Sequence, residues 1–120
     1  MNNLTAIILC GGKGLRLRPL TNDKPKPLIK IDNKPILSHV IKHLSKHGIK
    51  KFLIATGYQS KKIKKFMEET YVDLDYKLVD SGDVEILTRV KDCIKYINSD
   101  FLLCYGDTIS DINLTEVTKF

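Results

Sequence analysis

No apolar run in this sequence approaches the roughly 20 residues that a membrane-spanning helix needs. Nor does a basic segment, an apolar stretch and a cleavage site precede the first strand-like segment, so the expectation is a cytoplasmic protein with no membrane partner. Cysteine is scarce as well. Cys10, Cys93 and Cys104 are odd in number, form no C-x-x-C pair and lie in apolar stretches, which excludes a disulfide framework or zinc ribbon and predicts buried, reduced thiols. Acidic residues are the minority charge, 14 against 20 Lys and Arg, and the net +6 suits an anionic ligand. Aromatic residues are absent between the most clustered lysines, Lys61, Lys62, Lys64 and Lys65, where base stacking would require them. Helical spacing sets Ile63, Phe66 and Met67 on the opposite face, so these lysines read as a solvated outer surface rather than a nucleic-acid site. Linkers, repeats and low-complexity segments are missing too. With 42% hydrophobic and 28% charged residues, 120 residues are enough for one soluble domain with a modest core.

Against this background, the run Leu9-Cys10-Gly11-Gly12-Lys13-Gly14-Leu15-Arg16-Leu17-Arg18-Pro19-Leu20-Thr21, followed by Pro25-Lys26-Pro27-Leu28, carries the most chemistry. A strand that stops in glycines leaves backbone N–H groups unpaired, and the missing Cβ atoms let the chain curl close to a phosphate. Arg16 and Lys26 bring cations to such a cradle, and Pro19, Pro25 and Pro27 stiffen the intervening loop. Two better-known glycine motifs do not fit. Leu17 stands where a dinucleotide-binding fingerprint has its third glycine, and Lys13 is followed by Gly14 rather than the Ser or Thr of a Walker A loop.

Strand-length apolar runs at 4–10, 51–56, 74–79 and 101–105 alternate with segments of helical spacing. The first helix is predicted from Pro35 to Gly48, with Ile36, Leu37, Val40, Ile41 and Leu44 inward; the second at about 59–69. The third is predicted over 84–97, with Ile86, Leu87, Val90, Ile94 and Ile97 facing the sheet. Such β-α alternation predicts a Rossmann-like three-layer α/β/α fold with a mainly parallel sheet and right-handed crossovers. Ligands of these folds sit at the carboxyl ends of the strands, where Gly11, Gly57, Asp80 to Gly82 and Gly106-Asp107 all fall. His39, His43 and His47 recur every four residues, but they flank the apolar stripe and read as boundary residues rather than metal ligands.

The glycine run resembles the signature of the sugar-1-phosphate nucleotidylyltransferases, L-A-G-G-x-G-T-R-L-x-P-L-T-x-x-x-P-K-P, with Cys10 in place of alanine and Leu15 in place of threonine. The resemblance continues through Ile31-Asp32-Asn33-Lys34-Pro35-Ile36-Leu37, Gly57-Tyr58 and Tyr105-Gly106-Asp107. It implies a GT-A-like nucleotidyltransferase fold, with residues 1–120 forming the N-terminal, nucleotide-binding half of the family's domain. It further implies attack by a sugar 1-phosphate oxygen on the α-phosphorus of a nucleoside triphosphate, releasing pyrophosphate. Arg16 would hold the pyrophosphate, Lys26 would neutralise charge near the attacked phosphate, and Asp107 would hold Mg²⁺. Leu9, Cys10, Gly11, Gly12, Gly14, Arg16, Lys26, Ser81 and Gly82 would line the nucleotide. The stretch Val79-Asp80-Ser81-Gly82-Asp83 resembles the V-D-T-G-D of glucose-1-phosphate cytidylyltransferases and leans toward CTP. Other readings stay open: a nucleotide-binding or regulatory module without turnover, a basic nucleic-acid interaction domain, and a homo-oligomer that closes its open sheet edge with another copy.

Overall fold

A computed structural model describes residues 4–11, 24–82, 84–97 and 100–106. Its frame is a four-stranded, all-parallel sheet in the order β5-β4-β1-β6, built from β1 (Thr5–Cys10), β4 (Lys51–Thr56), β5 (Asp75–Asp80) and β6 (Phe101–Tyr105). β1 is central and apolar on both faces, as a strand covered on both sides must be. Thr5 through Cys10 lie opposite Lys51 through Thr56, and Thr5 through Leu9 opposite Phe101 through Tyr105. Shared register brings Cys10, Thr56 and Asp80 to one end of the sheet.

On one face pack α1 (Ile36–Lys46) and α2 (Ser60–Thr70). The predicted stripe of α1 is the observed one: Ile36, Leu37, Val40, Ile41 and Leu44 are all buried, against Ala6, Ile8, Phe52 and Ile54. Pro35 precedes its first turn and Gly48, at φ +93°, follows its last, so proline and glycine mark the ends as their backbone preferences dictate. α2 buries Ile63 and Met67 and turns its lysines outward, where Lys64 and Lys65 meet Glu68 and Glu69 one helical turn on. The sequence reading omitted a small hairpin between the glycine-loop region and α1. β2 (Lys30–Ile31) and β3 (Lys34–Pro35) are joined by Asp32-Asn33, both at positive φ, the geometry a two-residue hairpin turn demands. His39 donates from Nε2 to the Ile31 carbonyl at 2.7 Å and ties the hairpin to α1, while the His43 and His47 rings meet edge to face.

The opposite face carries α3 (Ile86–Ile94) and corrects the expectation for that helix. Ile86, Leu87 and Ile94 are exposed rather than inward. Arg89 and Cys93 take the buried positions over Ile7, Leu9, Leu53 and Ala55, with Val90 and Ile97 half-buried beside them. In the observed rotation Asp92 faces β5, where its Oδ2 accepts a hydrogen bond from the Ser81 hydroxyl at 2.6 Å. Among the described residues no helix is long and apolar enough to cross a membrane.

Candidate functional site

Because the four strands run parallel, their carboxyl ends share one rim, and Gly11, Gly57, Ser81 and Gly106 each follow directly or closely on a strand end. Backbone hydrogen bonds stitch these exits together. Tyr58 N–H donates to the Gly11 carbonyl (3.2 Å), Gly106 N–H to Leu9 (2.9 Å) and Ser81 N–H to Thr56 (3.2 Å). Gly82, at φ +74°, donates its N–H to the Asp80 carboxylate at 3.0 Å and closes a tight turn after β5. Thr56 is wholly buried, and its hydroxyl pairs with Ser60 at 2.7 Å, which anchors the start of α2 at the same rim. Gln59, just before that start, holds a left-handed backbone (φ +52°), uncommon for a residue with a side chain.

At the centre of this rim lies Arg89, a residue the sequence reading did not single out. It is 5% exposed, yet its Nε–H has no hydrogen-bond partner among the described residues. Its side chain fills the space beside Gly11, where any Cβ would collide with the guanidinium, and its Nη2 would sit 3.2 Å from a Cβ on Gly57. A Cβ on Gly57 would also strike the Gly82 carbonyl, and one on Gly106 the Cys10 sulfur. Gly11 and Gly57 therefore do a common job: they let an arginine approach the strand ends. A charged donor buried without a partner costs about 1–3 kcal/mol or more, which makes the Arg89 Nε–H a candidate ligand-binding group at this rim. The signal was present in the sequence as a lone Arg within an apolar helical segment, but the period-3.6 pattern admitted two rotations of the helix.

The remaining expected residues divide in three. Leu9, Cys10 and Gly11 end β1 at this rim, and Ser81 and Gly82 stand beside it, the Ser81 hydroxyl being engaged by Asp92. That bond, with Lys95 assisting, holds the Asp92 carboxyl below its ordinary range. Lys26 opens a short 3-10 turn, Lys26–Leu28, entered through Pro25 with Leu28 N–H on the Pro25 carbonyl (2.9 Å); the turn packs against α1. Gly12, Gly14, Arg16 and Asp107 lie outside the described residues. Of the described rim carboxylates, Asp80 and Asp92 already accept protein donors, and no group of three or more potential metal-ligating side chains converges among the described residues.

A glycine-lined rim with a buried arginine thus stands at the carboxyl ends of a parallel sheet, where open α/β sheets take their ligands. Comparison with known proteins sharpens this. Residues 5–120 match the nucleotidyl transferase family model, and the chain belongs to that family. It is 36% identical over 97% of its length to the UTP–glucose-1-phosphate uridylyltransferase AglF of Haloferax volcanii, and 35% identical over 98% to a glucose-1-phosphate cytidylyltransferase of Salmonella typhimurium. These alignments take in 48% and 55% of the two relatives, so the chain spans about half the length of the curated relatives it matches. In structure it resembles HddC from Yersinia pseudotuberculosis, solved with GMP-PN, at a TM-score of 0.85 and 24% identity over 95% of this chain and 52% of that one. A likeness at that identity supports the α/β fold.

Proposed function

We propose that this chain binds a nucleoside triphosphate at the carboxyl rim of its sheet and forms the nucleotide-binding half of a sugar-1-phosphate nucleotidylyltransferase. The observation that carries the reading is the approach of Arg89, whose buried Nε–H has no partner among the described residues, to Gly11 and Gly57 at the strand ends. The relatives' uridylyl, cytidylyl and guanylyl transferase names agree in reaction class and differ in base. In the proposed reaction a sugar 1-phosphate oxygen bonds to the α-phosphorus while the bond to the β-phosphate oxygen breaks and pyrophosphate leaves. Both reactants are anions, so the protein's work is to offset their repulsion and align them in line. Lys26 is assigned to the attacked phosphate, Arg16 to the leaving pyrophosphate, and Arg89 to an oxygen of the nucleotide. Mg²⁺, held through Asp107, would supply further charge neutralisation between phosphate oxygens.

CTP is the proposed nucleotide, on the likeness of Val79-Asp80-Ser81-Gly82 to the cytidylyltransferase turn. The test is thermal unfolding with each of four nucleoside triphosphates plus Mg²⁺. Binding to the folded state alone raises stability by about 2.7 kcal/mol at a hundredfold excess over the dissociation constant. The largest shift should come with CTP, and no shift with any triphosphate would overturn the binding reading. Pyrophosphate release with a panel of sugar 1-phosphates then separates an active transferase from a binding module without turnover.

A further inference from the structure

A groove of about 420 Å³ opens between the Lys26–Leu28 turn, the β2–β3 hairpin and α2, and it shares no lining residue with the glycine rim. That volume is within the usual range for small-molecule sites. Leu28, Pro35 and Phe66 supply its apolar surface, Lys24, Lys30 and Lys62 supply its charge, and no carboxylate lines it among the described residues. Each lysine stands on backbone that the fold fixes. Lys24 precedes the buried Pro25, Lys30 pairs across the hairpin with Pro35, and Lys62 lies one helical turn before Phe66 on α2. The His39 bond to Ile31 holds the hairpin, and the buried Ile63 and Met67 hold α2. Lys64 and Lys65 each meet a glutamate four residues on, whereas the residue at that spacing from Lys62 is Phe66. Gathering three ammonium groups about one apolar surface costs mutual repulsion, which an anion among them relieves.

We propose that this groove is a second, regulatory site for a small phosphate ester, its phosphate held by Lys24, Lys30 and Lys62 and its organic body laid on Leu28, Pro35 and Phe66. A bare anion would use the lysines alone; the apolar surface selects an ester with a compact body, a sugar or an aromatic ring. The groove reaches the rim chemistry through the turn. Leu28 ends the turn that Lys26 opens, with Leu28 N–H on the Pro25 carbonyl and Ile29 N–H on that of Lys26. A body resting on Leu28 therefore steadies the backbone that carries Lys26. This regulatory half rests on the assignment of Lys26 to the attacked phosphate. An occupied groove then tightens triphosphate binding, and by linkage triphosphate tightens the groove by the same factor.

The test titrates the isotope-labelled chain with phenyl phosphate, glucose 6-phosphate and inorganic phosphate while its amide resonances are followed. Those of Leu28, Ile29, Lys30, Lys62 and Phe66 should move, and the tighter ester, which tells an aromatic body from a sugar, should bind about tenfold or more tightly than inorganic phosphate. Lys30→Glu and Lys62→Glu, both at exposed positions, should each weaken that ester about tenfold or more with far-UV circular dichroism unchanged. Lys64→Glu, on the glutamate-facing flank of α2, should change its affinity by less than about twofold. CTP with Mg²⁺ should bind about fivefold or more tightly when the ester is present. Ester shifts centred on Gly11, Gly57 and Ser81, affinity no better than that of inorganic phosphate, or binding that survives both glutamate substitutions would each overturn the site. Triphosphate affinity indifferent to the ester would overturn the regulation alone. A chain that takes the ester in the groove and binds no triphosphate would overturn the function proposed above, and the regulation with it, while supporting the groove.

Discussion

Replacing Arg89 by methionine should stabilise the free protein and destabilise its nucleotide complex. In the free chain the guanidinium is 5% exposed and its Nε–H lacks a partner among the described residues, so the native state bears the desolvation of a charged donor. An unmade buried donor costs about 1–3 kcal/mol, and exchanging buried charge for apolar volume is often stabilising by a similar amount. Methionine retains the aliphatic stem that packs beside Gly11 and on the Ile7, Leu9 and Ala55 face. A net gain of about 1–2 kcal/mol is expected, which for a chain of this size raises the melting temperature by roughly 4–8 °C. With nucleoside triphosphate and Mg²⁺ present, the variant forfeits a charge-assisted contact of about 1.5–3 kcal/mol, a loss of roughly 10–150-fold in affinity. The order of melting temperatures should therefore reverse between free and saturated samples. Circular dichroism melts of both proteins at several triphosphate concentrations read this directly. If Arg89→Met destabilises the free protein by more than about 1 kcal/mol, the arginine is a structural strut and the argument fails. An unchanged triphosphate-induced shift would refute its role as a ligand group.

Lys26→Ala should lower triphosphate affinity by about 1.5–3 kcal/mol while leaving the unfolding midpoint near the wild-type value, because the side chain sits in a short turn outside the core; isothermal titration and a urea melt separate the two effects. Gly57→Ala would push a Cβ into the Gly82 backbone carbonyl, and since neither loop can yield as a flexible side chain would, a loss of about 1–3 kcal/mol is expected in the same melt. Burial pushes the Cys93 and Cys104 thiols up to about 11 and about 12, leaving about a thousandth or less as thiolate at pH 8, so a thiol-reactive dye should label them in urea and not in the native protein. The Asp92 carboxyl is held low first by the Ser81 hydroxyl, so its contribution is present above the unfolded carboxylate pKa and disappears as pH falls through the depressed folded value. Asp92→Asn should accordingly flatten the acid limb of stability against pH, and an unaltered acid limb would show that the Ser81 bond does not persist in solution.

Where one signal had one interpretation, the sequence was readable. β1 and β4 are apolar on both faces and bounded by glycine, and α1 combines an unambiguous stripe with Pro35 at one end and Gly48 at the other. Local chemistry and tertiary packing agreed there, so the strand ends and the glycine rim could be placed from residue order alone. The β2–β3 hairpin was missed for a different reason. Two-residue strands carry no periodicity, and the turn signal of Asp32-Asn33 lies inside a segment already absorbed by the family resemblance. α3 was misread because Ile86, Leu87 and Ile94 outnumber Arg89 and Cys93 in apolar weight. Apolar periodicity alone does not register the polar contacts of this helix, such as the bond from Ser81 to Asp92 eleven residues on.

That one rotation has two linked consequences. Turning α3 so that Asp92 faces β5 carries Arg89 beneath the helix to the strand ends, where only glycines leave it room. The same turn leaves Ile86, Leu87 and Ile94 exposed. A helix set in the orientation its apolar residues prefer would have covered its own greasy flank and left the arginine in water, at lower cost to the isolated fold. The observed orientation places a buried charge at the rim, an unfavourable term that an oxygen-rich ligand at the carboxyl ends of the strands would relieve. Ligand binding should therefore raise the stability of this nine-residue helix. Amide exchange along Ile86–Ile94, measured with and without triphosphate and Mg²⁺, should show added protection in the complex. Exchange indifferent to the triphosphate would mean that the arginine is not poised for a ligand.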